Sequence, residues 1–379
     1  MDEYSPADRN RDRTRLATLD SLLADLRAER QQIRDRLDAI VYPVLTIPNE
    51  IISEIFLQYI PTGIYPGRCL LRGDHSSPMT LAQVCRRWRA ISHGTPTLWR
   101  ALDLQDFNIP RRAASVGAQL SATRSWLQRA AALPLSLAFL ASQPQLLQIL
   151  EPHSARWEHI LISKFSAWLL LPTQLPSLRS LNLNIYHDRL KNQDSERWLG
   201  RPRIVAQHLC VAFLRDVFDS SILGYLPWAQ LQYLYLHTVT IPIAATVLRE
   251  AGRLHQCRLG LQEGRDEAVP VAPISLPHLD LLVVEFGDPD SDLHEFLRSL
   301  RLPNLKRLYI HGDISERLED HVPGLTAIVG NMGCRLEQLC IVTVSTAVED
   351  KYRAEFAHIP LLQLRNDYGL DEGWGEWDG

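Results

Sequence analysis

No run of about 18 or more apolar residues occurs in this chain, the length a helix needs to cross a bilayer, so a membrane span is not expected. The opening residues, MDEYSPADRNRDRTR, are polar and charged and lack the apolar centre of a secretion signal. Cysteine is sparse. The six, Cys69, Cys85, Cys210, Cys257, Cys334 and Cys340, are scattered and never form C-x-x-C, and no N-x-S/T glycosylation acceptor is present. Several stand where the pattern wants a small apolar residue, as a free buried thiol does. A disulfide framework belongs to shorter secreted chains, so a reducing compartment, cytoplasmic or nuclear, is expected. The formal net charge of -4 gives no general pull toward nucleic acid or an anionic membrane, and neither is expected as a partner.

Catalytic signatures are missing too. Nothing spells a phosphate loop, a G-x-S-x-G elbow or a zinc-protease helix. His255 with Cys257 is the nearest metal-like arrangement; strand alternation would send both the same way, but two ligands are too few for a site. Cys85 is expected on a buried helix face, where a thiol is poorly reactive. The expectation is a chain that is not an enzyme, with no metal and no cofactor.

What is present is an ordinary globular composition, 46% hydrophobic and 22% charged, long enough at 379 residues for more than one core. Four regions follow. Residues 1–42 form a charged helical lead in which Leu16, Leu19, Leu23, Leu26, Ile33, Leu37 and Ile40 fall at alternating steps of three and four, with Arg30 taking one seam position. That is a short heptad seam, compatible with a coiled coil that would make a homodimer through residues 16–40 or with a helix folded back on its own protein.

Residues 43–104 contain two short helical patterns. The first opens at Pro48 and Glu50 and carries Ile51, Ile52, Ile55, Phe56, Tyr59 and Ile60 at helical spacing, stopped by Pro61 and Gly63. The second is expected to open on a capping box from Thr80 to Gln83 and to carry Leu81, Val84, Cys85, Trp88 and Ile91 on its apolar face, ending at Gly94 and Pro96. A Gly/Pro-rich loop at 61–78 separates them. Two readings exist for these stripes: they cap the following region, or they leave apolar surface for a different polypeptide, since so small a module cannot bury them all.

These residues resemble the F-box. Its pattern, a Leu-Pro-x-Glu helix start, an apolar helix, a Val-Cys-x-x-Trp helix and a closing Leu-Trp, is matched by Ile47, Pro48, Glu50, Ile51, Ile55 and Phe56, then Val84, Cys85, Arg86, Trp88 and Arg89, then Leu98 and Trp99. The spacer at 61–78 is longer than the compact family pattern, a feature similar to fungal F-box-like proteins. The resemblance implies a three-helix module that docks on the Skp-family linker of a cullin-RING (SCF) ubiquitin ligase. It also implies Ile47, Pro48, Ile51, Ile55, Phe56, Leu81, Val84, Cys85 and Trp88 as the linker-binding residues.

From Trp99 onward one phrase recurs, a turn followed by L-x-x-L-x-L: Leu178, Leu181, Leu183; Leu231, Leu234, Leu236; Leu254, Cys257, Leu259; Leu279, Leu282, Val284; Leu305, Leu308, Ile310; and Leu336, Leu339, Ile341. Weaker copies are Trp157, Ile160, Ile162 and Ala206, Leu209, Val211, and Trp99, Leu102, Leu104 opens the run. The spacing, close to the 20–29 residues of leucine-rich repeats, predicts one short strand per unit stacked in parallel on the next. Residues 105–365 are therefore expected to form an irregular leucine-rich-repeat solenoid, similar to the degenerate arrays often joined to F-boxes; an unrelated α/β domain with parallel strands is the alternative. Helical returns are expected at RPRIVAQHL, residues 201–209, and at SDLHEFLRSLR, residues 291–301. The usual asparagine after the strand is absent, with Tyr186, Val239, Asp313 and Val344 in its place.

Residues flanking the inward leucines would line a concave face: Ser180, Asn182 and Asn184; Tyr233, Tyr235 and His237; Arg307, Tyr309 and His311; His159 and His208; with Leu281 and Val283 an apolar lane. Tyrosine, arginine and histidine pair an apolar body with a polar end, which suits a protein substrate; aromatic strand residues also serve cross-strand packing. Residues 366–379, acidic with Trp374 and Trp377, are expected to be a disordered tail. The fold class read from all this is α/β, with N-terminal helices before a parallel sheet. The function is an F-box substrate-recognition adaptor holding a protein substrate for an SCF complex, linker plus cullin. A leucine-rich, self-associating scaffold is the alternative.

Overall fold

The structure is a computed structural model that describes residues 6–39, 46–60, 77–104, 113–140, 144–165, 171–185, 203–217, 223–262, 272–286, 291–311, 321–342 and 349–365. Most of the expected spacer (61–76), Ile40, Cys69, Tyr186, Asp313, Val344 and the tail at 366–379 lie outside the described residues. The chain divides into two compact units, Met1–Ile55 and Phe56–Gly379.

The first unit holds α1 (Pro6–Asp38), a single helix of 33 residues. Its seam leucines are exposed. The division between units falls within α2 (Asn49–Tyr59), whose first turn closes with the Ile52 amide donating to the Pro48 carbonyl at 3.1 Å.

In the second unit the expected single helix after the spacer is two: α3 (Pro78–Val84) and α4 (Arg86–His93). The break is at Cys85, whose backbone is extended (φ -155°, ψ 172°). The capping box from Thr80 is also corrected, because α3 starts earlier: Ser77 is its N-cap, accepting from the Met79 amide at 3.2 Å, and Pro78 takes the first helical position. Cys85 leaves the apolar face and becomes the cap of α4, its Sγ accepting from the Trp88 amide at 3.4 Å. Gly94 ends α4, donating to the Ala90 carbonyl at 3.0 Å.

The rest is a mixed α/β body on one large parallel sheet. Its eleven strands are β1 (Ala101–Asp103), β2 (Leu135–Leu140), β3 (Trp157–Phe165), β4 (Ser180–Ile185), β5 (Val211–Val217), β6 (Tyr233–Thr240), β7 (Gln256–Gln262), β9 (Leu281–Phe286), β11 (Arg307–His311), β12 (Gln338–Val342) and β13 (Leu361–Arg365), hydrogen-bonded in that order. A separate two-stranded ribbon pairs β8 (Ile274–Ser275) with β10 (Leu300–Arg301). Helices return between strands: α5 (Ala113–Arg129), α6 (Pro144–Leu150), α7 (Ile241–Glu250), α8 (Ser291–Ser299), α9 (His321–Met332) and α10 (Glu349–Glu355).

The recurring leucines explain this order. In each strand alternate residues enter one core layer: Leu181 with Leu183, Leu234 with Leu236, Cys257 with Leu259, Leu308 with Ile310, Leu339 with Ile341, all buried and aligned across neighbouring strands. Before them a one-turn bend recurs, with Leu178, Leu209, Leu231, Leu254, Leu279 and Leu305 donating to the residue three back. The helices close the layer with their own apolar stripes, such as Leu293, Phe296 and Leu297 on α8 and Trp126 and Leu127 on α5.

Two array expectations are corrected. The weak copy Ala206, Leu209, Val211 is out of register: Ala212 and Leu214 align with Leu181 and Leu183, and Val211 pairs with Ser180 of the opposite face. Residues 203–209 form a bridge and a turn instead of a helix, since Ile204, Ala206 and Leu209 are buried at spacings of two and three that no helix face collects.

Candidate functional site

Two surfaces carry candidate residues. The first is the helical segment before the sheet. The six apolar residues expected on one stripe, five on α2 and Ile60 just after it, do not share one face. Ile52, Phe56 and Ile60 are buried, the first two 1% exposed, while Ile51 and Ile55 stand 53% and 51% exposed with Tyr59 next in the same row. Adjacent residues on a helix are rotated by about 100°, so one wide stripe resolves into a buried row and an exposed row. Pro48 is exposed and Ile47 half-buried at the N-terminal end of that helix.

The other expected linker-binding residues lie in the second unit and divide likewise. Phe56 and Leu81 are buried, Trp88 and Cys85 are half-buried, and Val84 is 60% exposed. Phe56 meets Trp88 edge-on at 4.9 Å between ring centroids. Arg89 Nε donates to the Ala82 carbonyl at 2.8 Å and Ser92 Oγ to that of Pro78 at 3.3 Å, fastening α4 to α3 across their break. Phe56 and Leu81 therefore belong to the interior, against the expectation that they face outward; two short helices need them to hold together.

Trp99 ties this segment to the sheet. Its Nε1 donates to the Ser92 carbonyl at 2.7 Å, its ring meets Trp126 of α5 edge-on at 4.8 Å, and the Arg129 guanidinium sits 4.6 Å over it. Next to it, His93 is 5.6 Å from the Trp99 ring, and burial, then Arg129 and Arg89, hold its pKa below the ordinary value.

The second surface is the sheet face away from the leucine layer. Register brings the expected residues into rows: Tyr233 lies beside Val211 and Gln256, Tyr235 between Phe213 and Arg258, and Arg307 between Leu281 and Gln338. Tyr235 is the hub. Phe213 meets it edge-on at 6.1 Å, the Arg258 guanidinium lies 4.8 Å over its ring, and His237 stands at 5.9 Å. Arg258 in turn reaches Glu285 on β9 through Nε at 2.8 Å. Burial raises the Tyr235 pKa, Arg258 acting against it. Arg258 and Glu285 were not singled out from the sequence; their alternation with Cys257 and Val284 was the available signal.

The rest of that face is more varied. Arg307 pairs with Asp280 at 3.3 Å, and His311 is half-buried at the end of β11. Tyr309 is buried, in a cluster with Leu281 and Cys340 flanked by Val283 and Val342, and burial pushes its pKa up to about 12. Asn182 and Asn184 are half-buried on β4, as is His159 on β3; Ser180 is buried, and His208 is exposed in a turn and joins no row. His159 lies 4.0 Å from Glu158, which also binds Arg100 at 2.7 Å and Arg179 at 3.4 Å. Burial lowers the pKa of His159, with Glu158 opposing.

His255 and Cys257 are not brought together: His255 is exposed in the turn before β7 and tilts against His278 at 6.0 Å, while Cys257 is fully buried. Among the described residues no three His, Cys, Asp or Glu side chains gather as a metal set. No helix among them is long and apolar enough to cross a membrane.

Comparison with known families finds that residues 44–105 match the family model described as F-box-like. No curated protein matches the chain. The matched span runs from just before α2 to just past β1, and so takes in the exposed row of α2, the α3–α4 pair and Trp99.

Proposed function

We propose that this protein is the substrate-recognition adaptor of an SCF-type cullin-RING ubiquitin ligase. F-box-like domains act as non-catalytic adaptors in such complexes, and the F-box-like match over residues 44–105 supports that role here. The observation that carries the reading is the exposed apolar row on α2: Ile51 and Ile55 are left half-open while Ile52 and Phe56, one position on, are sealed. Exposed apolar rows of this kind are favourable to cover with a partner.

In this reading Pro48, Ile51, Ile55 and Val84 contact the Skp-family linker, and Ile47, Phe56, Leu81, Cys85 and Trp88 hold their helices in shape. The cullin joins through the linker. The sheet is an irregular leucine-rich array, and its open face, with Tyr233, Tyr235, His237, Arg307 and His311 backed by Tyr309, holds a protein substrate. The protein performs no chemistry; holding a substrate lysine near a charged conjugating enzyme raises its effective concentration. The reading places the protein in the cytoplasm or nucleus.

Co-purification tests it. The full chain should bring down linker and cullin, and an Ile51→Asp, Ile55→Asp variant should lose both while folding normally. Equal recovery by the two would end the proposal. A scaffold without ligase function is the second reading, favoured by the exposed seam of α1, and it gives no linker or cullin in either arm.

A further inference from the structure

The helix α1 runs unbroken for 33 residues, about 50 Å at 1.5 Å per residue, and its seam is bare. Leu16, Leu19, Leu23, Leu26, Ile33 and Leu37 are each 42–61% exposed. A lone helix with such a greasy stripe, broken only at Arg30, is a poor end state in water, because most helical stability in proteins comes from packing such a stripe. The charges beside the stripe identify what covers it.

Taking Leu16 as position a of a heptad, Leu19, Leu26 and Ile33 fall at d, and Leu23, Arg30 and Leu37 at a. The flanking g positions are then Arg15, Leu22, Glu29 and Arg36, and the e positions Arg13, Asp20, Arg27 and Arg34. In two parallel helices in register, each g residue meets the e residue five places on in the other chain. Arg15 then meets Asp20 and Glu29 meets Arg34, each twice by symmetry, while Leu22 lies along the aliphatic stem of Arg27. No like charges meet among these pairs. Turned antiparallel about Leu23 and Leu26, the same helices would set Arg15 against Arg36 and Arg13 against Arg34, two kinds of cation–cation contact against the one favourable pair, Asp20 with Arg27.

We infer that α1 pairs with α1 of a second copy of this chain as a parallel, in-register, two-stranded coiled coil. Arg30 is the register and strand-number device. Of the d residues Leu19, Leu26 and Ile33 only the isoleucine, set beside leucine at a, pulls toward three or four strands, and a charged a residue is tolerated only where its head can reach water, as at a two-stranded seam. Glu29 of the second copy stands next to it and offsets the charge. The pairing does not depend on the linker-binding proposal. Its consequence is bivalency: two open sheet faces on one assembly, able to engage a repeated or oligomeric client with avidity.

The test is made on the full chain. Mass measurement in solution over a concentration series should give two copies. Leu23→Asp should give one copy with unchanged thermal unfolding of the sheet body, since Leu23 lies outside that core. Glu29→Arg should weaken the dimer about tenfold, and adding Arg34→Glu should restore it. Arg30→Cys should form an interchain disulfide under mild oxidation, because facing a positions come within bridging distance in this register, whereas the wild-type cysteines should not. A single-copy mass for the wild type, a mass of three or four copies, no response to Leu23→Asp, no rescue by Arg34→Glu, or no cross-link at position 30 would each overturn the inference.

Discussion

Arg258 and Glu285 face one another from neighbouring strands β7 and β9, with side chains only 14% and 16% exposed. The ion pair belongs to the sheet face that carries Tyr235, and the Arg258 guanidinium also covers that ring. Tyr235 is thereby held in one orientation, and two charges are committed to each other rather than to a ligand.

Removing one partner alone should therefore be costly. Glu285→Ala leaves a largely desolvated guanidinium, and a loss of about 3 kcal/mol in urea unfolding is expected. The double variant Arg258→Met, Glu285→Leu should recover most of that loss. Equal losses for the single and double variants would show that the pair is not coupled.

The two rows of α2 should separate folding from binding. Phe56→Ala empties an interior position against Trp88 and should cost about 3–5 kcal/mol. Ile51→Asp alters an exposed position and should leave the unfolding midpoint within experimental error, at most about 0.5 kcal/mol. Thermal unfolding of the two variants side by side measures the difference.

Acid should destabilise the sheet body through His159. Its folded-state pKa lies below the ordinary 6.5, burial being the main cause, so the unfolded chain binds the proton more readily. The contribution is fully present above pH 6.5 and is lost as pH falls below it. His159→Gln should flatten the stability profile between pH 7 and pH 5; an unchanged slope would exclude His159 as its source.

Client capture should follow the open face unevenly. Tyr233→Ala with Arg307→Ala should remove client recovery and preserve linker recovery, because both side chains are half-buried at the surface. Tyr309→Ala should instead lower stability, its ring lying within the Leu281 and Cys340 cluster. Client yield and unfolding midpoint, measured on the same preparations, distinguish these roles.

The sheet was legible because one leucine spelling repeats with the strand, and six of its copies fall on buried positions that pair in register. The copy around Leu209 was misplaced by three residues because its core position is the small Ala212, while Val211 and Phe213 beside it look more like core. The last unit, Ile359, Leu362 and Leu364, escaped notice: the edge strand β13 leaves its leucines only partly covered, so the signal is diluted with charge. The α3–α4 break was hidden because Cys85 reads as an apolar helix residue, yet its sulfur serves better as an acceptor for the Trp88 amide. Periodicity identified the apolar residues of α2 except Leu57 but could not say which row faces water, because that depends on packing that no local spacing encodes.

The proposed docking of a Skp-family linker on the open row of α2 is open to one binding measurement. Titrating purified linker protein into the purified full chain, beside the Ile51→Asp, Ile55→Asp variant, measures this directly. Saturable one-to-one binding by the wild type and none by the equally folded variant is the predicted result; no binding by either, or the same binding by both, would contradict it.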